Sequence, residues 1–166
     1  NGGQGRGPNA NGTAEQSARP PIKWDLTTNI RWSAKLPGEG SSTPIVWNDQ
    51  IFVLSAEATT RKTETPPVTD EASKTIPPDV YYRFWVTCID RSTGKKRWQK
   101  LATEHVPHAG KHQTNTYAAG SPTPECERLY VSFGSQGSVC FSLDGESVWH
   151  KALRNIATAL ASAEAW

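Results

Sequence analysis

Short apolar segments separated by polar turns recur along the chain from about residue 22 onwards. Each segment is four to eight residues long, rich in β-branched or aromatic side chains, and bounded by Gly, Pro, Asn, Asp or Ser. This pattern predicts β-strands. The predicted strands are NIRWSAKL, TPIVW, QIFVLS, FWVTCID, KRWQKL, RLYVSFG, SVCFSL and SVWHKAL. We therefore expect an all-β chain.

The strands and turns also repeat in register. A shift of 78 residues superposes TPIVWNDQIFV on SPTPECERLYV, and a shift of 51 residues superposes Gly94 on Gly145 and Trp98 on Trp149. Trp32, in RWSAKL, marks a third, partial copy. Each full repeat holds four short strands, which predicts four-stranded antiparallel blades of a β-propeller. A β-sandwich has no reason to repeat its turn chemistry in register.

The blade ends resemble the quinoprotein-type propeller repeat, also called the pyrroloquinoline-quinone-like repeat. Its pattern, x-Cys/Tyr-x-Asp-x-x-Thr-Gly-x-x-x-Trp, stands here as CIDRSTGKKRW and, shortened, as CFSLDGESVW. RGPNANG, the stretch from NIRWSAKL to QIFV, and HQTNTYA are similar to large secreted bacterial propellers of this kind. The resemblance covers roughly residues 5–151. It implies a ring of six to eight blades in the periplasm or outside the cell.

The repeats divide the chain into three regions. Residues 1–21 lack an apolar periodicity and are expected to be irregular. Residues 22–151 are expected to form a partial propeller of about two blades and one stray N-terminal strand, with the remaining blades as partners. Residues 152–166 are rich in Ala, and we expect a truncated or frame-shifted end there rather than a designed helix.

Within the propeller region, the predicted blade end is residues 29–36 and the two predicted blades are residues 42–101 and 117–151. The shifts between repeats differ, so the first blade carries an insertion of about 26 residues between its second and third strands. This insertion, at residues 56–83, is polar and rich in Pro. It is expected to be a long loop with little regular structure.

Charge and cysteine content exclude several classes of function. The 18 basic and 16 acidic residues leave a net charge of +2, which gives no global field for nucleic acid. No apolar run approaches 18 residues, so no transmembrane segment is expected, and no signal peptide is visible. The three cysteines are too widely spaced for a disulfide framework. Cys88 and Cys140 occupy equivalent third-strand positions and are expected to be buried free thiols, while Cys126 lies in a turn between two glutamates.

The basic stretch DRSTGKKRWQKL, residues 90–101, invites a polyanion-binding hypothesis. Its counterpart in the next repeat, LDGESVWHKAL, keeps the Gly and the Trp but replaces KKR with ESV. The recurring elements are therefore a turn glycine and a packed tryptophan. We interpret the basic residues as solvent-exposed side chains that lie over the packed Trp98.

The densest group of candidate ligands is EHVPHAGKHQTN. Its imidazoles, His105, His108 and His112, have the chemistry to bind zinc or another borderline metal. Pro107 and Gly110 interrupt the segment, which favours the alternative of an exposed inter-blade loop.

In that alternative, His112 and Tyr117 pack against the first strand of the next blade. In propellers such a loop shares a face with the second-to-third-strand connection, here the insertion. We therefore expect ligand binding on that face, at His112, Asn115 and Tyr117.

The resemblance also raises the question of quinone chemistry. Resemblance to the true dehydrogenases of the family would imply a calcium-bound quinone, a disulfide between adjacent cysteines and acidic calcium ligands. The chain has no Cys-Cys pair, and its acidic residues are scattered. We expect no cofactor here, pyrroloquinoline quinone with calcium included, and no catalytic residue.

The favoured hypothesis is a non-catalytic scaffold that binds protein or polysaccharide. The alternatives are a fragment of a quinone-dependent dehydrogenase whose active-site blades are missing, and a sensor or interaction domain attached to a larger protein such as a bacterial kinase.

Overall fold

The computed structural model describes residues 11–14, 16–67 and 75–151. The predicted tail, residues 152–166, and much of the predicted irregular segment lie outside these ranges. The strands are β1 (Ile45–Trp47), β2 (Gln50–Lys62), β3 (Thr75–Ile76), β4 (Val80–Asp90), β5 (Lys96–His105), β6 (Lys111–His112), β7 (Thr123–Glu125), β8 (Arg128–Ser132), β9 (Ser138–Ser142) and β10 (Ser147–Lys151).

Eight of these strands form two four-stranded antiparallel sheets. The first has the order β1-β2-β4-β5, and the second has the order β7-β8-β9-β10. Both sheets follow the chain order of a propeller blade, so the predicted all-β fold of four-stranded antiparallel blades is confirmed. We call the first sheet blade 1 and the second sheet blade 2.

The two blades are held together by a shared apolar core. Side chains alternate across a strand, so every second residue of β2 and β4 faces the same side. Phe84 of blade 1 packs against Phe133 of blade 2, with ring centroids 5.0 Å apart. The buried core residues are Phe52, Leu54, Ala56, Phe84, Val86, Cys88, Ala118, Leu129, Val131, Phe133, Val139 and Phe141.

A tryptophan at the end of blade 1 fastens it to blade 2. The indole Nε1 of Trp98 donates a hydrogen bond to the Leu143 carbonyl, at 2.9 Å. Gly145 has a φ of 88°, and a Cβ at this position would lie 2.7 Å from the Trp98 ring. Only glycine therefore suits this turn, both for its backbone conformation and for the space that the indole occupies.

The same contact occurs one repeat earlier. The Nε1 of Trp32 donates to the Arg91 carbonyl, at 3.0 Å, and a Cβ on Gly94 would lie 2.5 Å from the Trp32 ring. Trp149, the third tryptophan of the series, is 42% exposed, and its ring centroid lies 6.3 Å from that of Tyr130. Trp32 and Trp98 thus each dock on the turn glycine of the sheet that follows them in the chain.

The turn before Trp98 is organised by Asp90. Its Oδ1 accepts hydrogen bonds from the backbone N–H groups of Ser92 and Thr93, at 3.0 and 2.9 Å, and from both hydroxyls. Its Oδ2 accepts from the Arg97 guanidinium, which also donates to Asp49. One cation of the basic stretch is thus paired within the blade.

The N-terminal strand predicted at residues 29–36 is not formed as a strand. Residues 30–36 are not paired with any strand in the described part of the chain. This segment is instead held by Trp32, and farther on by an antiparallel bridge between Glu39 and Ala56.

The loop predicted at residues 56–83 is shorter than expected, because both of its ends belong to strands. β2 continues to Lys62 and β4 begins at Val80, so the connection spans residues 63–79 and includes β3. Cross-strand pairs explain the extension: Glu57 lies opposite Arg83, which in turn lies opposite Glu104. β5 also runs past residue 101, to His105.

Candidate functional site

The insertion of blade 1 and the histidine-containing loop lie side by side. β3 pairs with β6 in an antiparallel bridge, with Thr75 opposite His112 and Ile76 opposite Lys111. The short connection of blade 2, residues 133–137, occupies the topologically equivalent position to the insertion. We call the surface formed by residues 63–67, 75–79, 106–117 and 133–137 the loop face.

A cavity of about 460 Å³ opens on the loop face between the two blades. Four of the residues that the sequence singled out, His108, His112, Asn115 and Tyr117, line it together. His105 does not line this cavity. It ends β5 opposite Tyr82 and lines, with His108, a neighbouring cavity of about 330 Å³.

The structure places the three predicted metal ligands in different elements, with His105 in β5, His112 in β6 and His108 in the loop between them. Among the residues that the structure describes, no group of three or more His, Cys, Asp or Glu side chains is placed to hold a metal ion. Strand pairing places His105 opposite Tyr82 in blade 1, whereas it places His112 opposite Thr75. The Nδ1 of His112 lies 2.8 Å from the Thr114 hydroxyl instead.

Asn115 anchors the loop to the segment that leads into β1. Its Oδ1 accepts hydrogen bonds from the Ser41 hydroxyl, at 2.9 Å, and from the backbone N–H of Thr116, at 2.8 Å. Its carbonyl accepts from the Lys111 ammonium, at 3.0 Å. The Ser41 backbone N–H donates to Thr116 Oγ1 and to the Ala118 carbonyl. The loop therefore has a fixed shape at the point where it enters blade 2.

Tyr117 packs on the preceding blade rather than on the first strand of the next one. Its ring meets Tyr82 of β4 edge to face, with centroids 4.7 Å apart. Burial and the neighbouring Tyr82 raise the pKa of Tyr117 to about 12, and burial also raises the pKa of Tyr82. Both phenols stay protonated at neutral pH and can act only as hydrogen-bonding and packing groups.

Gln136 is a cavity residue that sequence reasoning missed. It lies in a 3₁₀ turn, Gly134–Gln136, lines the cavity and is only 6% exposed. Its Oε1 is buried and accepts no hydrogen bond from the described residues. The repeat alignment could have identified Gln136. GSQG is the connection between the second and third strands of blade 2, so it lies on the same face as the insertion of blade 1.

The cysteines offer no nucleophile. All three are free thiols, with Cys88 and Cys140 buried and Cys126 exposed. Burial raises the pKa of Cys88 to about 12 and also raises the pKa of Cys140. Both thiols therefore remain protonated near neutral pH and serve as small apolar side chains.

The residues present do not fit a calcium-bound quinone. The sequence has no adjacent cysteines, and the described residues place no cluster of acidic side chains that could ligate calcium. Over the same described ranges, no helix has the length and apolar character needed to cross a membrane.

Comparison with known families agrees with this architecture. Residues 21–153 match the PQQ_2 family, which is described as outer membrane protein assembly factor BamB. No curated protein matches the chain significantly. The family match covers most of the chain and both four-stranded blades, and it confirms the resemblance drawn from the blade-end motifs. The chain belongs to the PQQ_2 family of pyrroloquinoline-quinone-like β-propeller repeats.

Proposed function

We propose that this chain is a non-catalytic propeller module that serves as a scaffold, outside the cytoplasm, for binding a protein or a polysaccharide through its loop face. The family description, an outer membrane assembly factor, supports both a binding role and an extracytoplasmic location. The residues that would bind a calcium-linked quinone are not present among those described, so a dehydrogenase role has no support from the site.

The observation that carries the proposal is the pairing of β3 with β6. It brings a long insertion from blade 1 against the inter-blade loop and places both beside a cavity. Loops that rest on a rigid scaffold are where binding residues usually lie. The opposite end of the blades carries tight turns, such as Asp90–Lys95, whose polar groups are satisfied locally.

A site-specific cross-linking experiment tests the proposal. A benzoylphenylalanine replaces His108, which is exposed on the loop face, or Lys95, which is exposed in a turn at the opposite end of blade 1. Both variants are irradiated in cells that produce the protein. We expect discrete protein or polysaccharide adducts from position 108 and none from position 95.

Two outcomes would overturn the scaffold hypothesis. Equal adducts from the two positions, or none from either, would mean that the loop face has no preferred partner. Stoichiometric uptake of pyrroloquinoline quinone with calcium, followed by visible absorption, would instead indicate a redox enzyme.

A further inference from the structure

The size of the loop-face cavity suits a small ligand or one or two sugar rings. Its volume of about 460 Å³ lies within the range of ligand pockets. It is open to solvent on one side, so a unit within a longer chain can enter it. Buried Phe84 and Phe133 form part of its wall, with Tyr117 beside them.

The charge of the cavity favours an anionic ligand. Lys111 lines it with a positive charge, His108 and His112 add ring nitrogens that can hydrogen-bond, and none of its described lining residues is Asp or Glu. The ammonium of Lys111 has three donors and uses one on the Asn115 carbonyl. Asp79 acts electrostatically on Tyr117, but it does not line the cavity.

The neutral polar groups of the cavity favour hydroxyls. Ser132, Ser135 and Gln136 line the side that belongs to blade 2. The Gln136 amide has one weak internal contact, from Nε2 to the Ser135 hydroxyl at 3.5 Å, and Oε1 has no partner. Oε1 is a buried acceptor without a partner in a residue that lines the cavity, so a ligand hydroxyl that reaches this amide would satisfy it. A hydroxyl both donates and accepts, and it therefore pairs with the amide in either orientation.

A sugar that carries a carboxylate satisfies both requirements, the negative charge and the hydroxyl groups. We infer that the cavity binds an acidic sugar unit of a polysaccharide, with the carboxylate toward Lys111 and the ring hydroxyls toward Gln136. This inference rests on the proposed scaffold function and names the ligand of its loop face. An acidic peptide supplies the carboxylate but not adjacent ring hydroxyls.

Titration calorimetry of the purified chain with digalacturonate tests the inference, with galactobiose as the neutral control. We expect saturable binding of digalacturonate that weakens as salt rises, and at least about tenfold weaker binding of galactobiose. Lys111→Met and Gln136→Leu should each weaken digalacturonate binding about tenfold, which corresponds to the loss of one hydrogen bond to a ligand. Lys95→Met, at the opposite end of blade 1, should leave it unchanged.

Thermal unfolding of Gln136→Leu separates binding from structure. Leucine removes a buried amide oxygen that has no partner, so the melting temperature should stay the same or rise while binding is lost. Equal affinity for the two disaccharides, or unchanged binding in both cavity variants, would overturn the inference. If cross-linking from position 108 still captures a protein in that case, the scaffold function stands without the sugar. If the cavity shows no selective binding of digalacturonate and position 108 gives no cross-linked partner, both the sugar inference and the scaffold function are wrong.

Discussion

Replacement of Trp98 by alanine is expected to loosen the junction between the two blades. The ring of Trp98 lies 5.9 Å from that of Phe52 in blade 1 and 6.1 Å from that of Phe141 in blade 2. A tryptophan buries roughly 150–250 Å², which at about 25 cal/mol per Å² is worth about 4–6 kcal/mol when burial is complete.

Trp98 is only partly buried, so its apolar contribution is smaller. The indole N–H bond to the Leu143 carbonyl adds about 1 kcal/mol. The expected loss in the free energy of unfolding is therefore about 3–5 kcal/mol, in the range found for large-to-small core substitutions.

Urea unfolding followed by far-UV circular dichroism measures this loss, since that signal comes mainly from the backbone and its midpoint can be compared between variants. Lys95→Ala, in the neighbouring exposed turn, is the control and should change stability by less than about 0.5 kcal/mol. Gly145→Ala should also be destabilising, because its φ of 88° and the nearby Trp98 ring leave no room for a Cβ.

A double-mutant cycle then tests the contact itself. Without the indole, the added methyl no longer clashes, so Gly145→Ala should cost at least about 1 kcal/mol less in the Trp98→Ala background. Additive effects, or a Trp98→Ala loss below about 1 kcal/mol, would refute the view that this tryptophan joins the blades.

Two further predictions concern the turns. Cys126 has a φ of 51°, and its counterpart one repeat earlier, Asn48, has a φ of 55°. Asn tolerates this backbone conformation better than Cys, so Cys126→Asn should stabilise the chain by about 0.5–1 kcal/mol and raise its melting temperature. The control Cys126→Ala should not raise it. Hydrogen bonds from Ser92, Arg97 and Thr93 hold the pKa of Asp90 well below its ordinary value. A lowered folded-state pKa stabilises the fold above the unfolded pKa, about 3.9, and this contribution is lost as pH falls further. Asp90→Asn should therefore be less stable than the wild type at pH 7, with the difference narrowing below about pH 4; urea midpoints that stay equally separated at pH 7 and pH 3 would contradict this.

The blades could be predicted from residues that recur in both repeats, whereas the features that occur in one repeat alone could not be predicted. Gly94, Gly145 and the two tryptophans recur because each sheet needs the same turn and the same docking contact. The extension of β2 beyond Ala56 was missed because AEATTRK has little apolar pattern of its own. Its strand conformation depends on cross-strand partners that become visible only once the register is known.

The candidate site shows the same division. The sequence identified the loop of His108, His112, Asn115 and Tyr117, since three imidazoles in a short polar stretch are conspicuous. It could not show that His105 is held apart by β5, or that a short turn from blade 2 completes the cavity with Gln136. Those facts depend on how two distant segments meet across the blade junction.

The docking of Trp32 and Trp98 on the turn of the following sheet also gives the chain a direction of assembly. The last strand of blade 1 ends at His105, yet the indole of Trp98 donates to the Leu143 carbonyl and packs against Gly145, both in blade 2. During synthesis, the strands of blade 1 can pair before blade 2 has left the ribosome, so one face of blade 1 is then uncovered. Blade 1 is thus completed by blade 2, and as long as only blade 1 has emerged from the ribosome it exposes an apolar face that the finished chain hides.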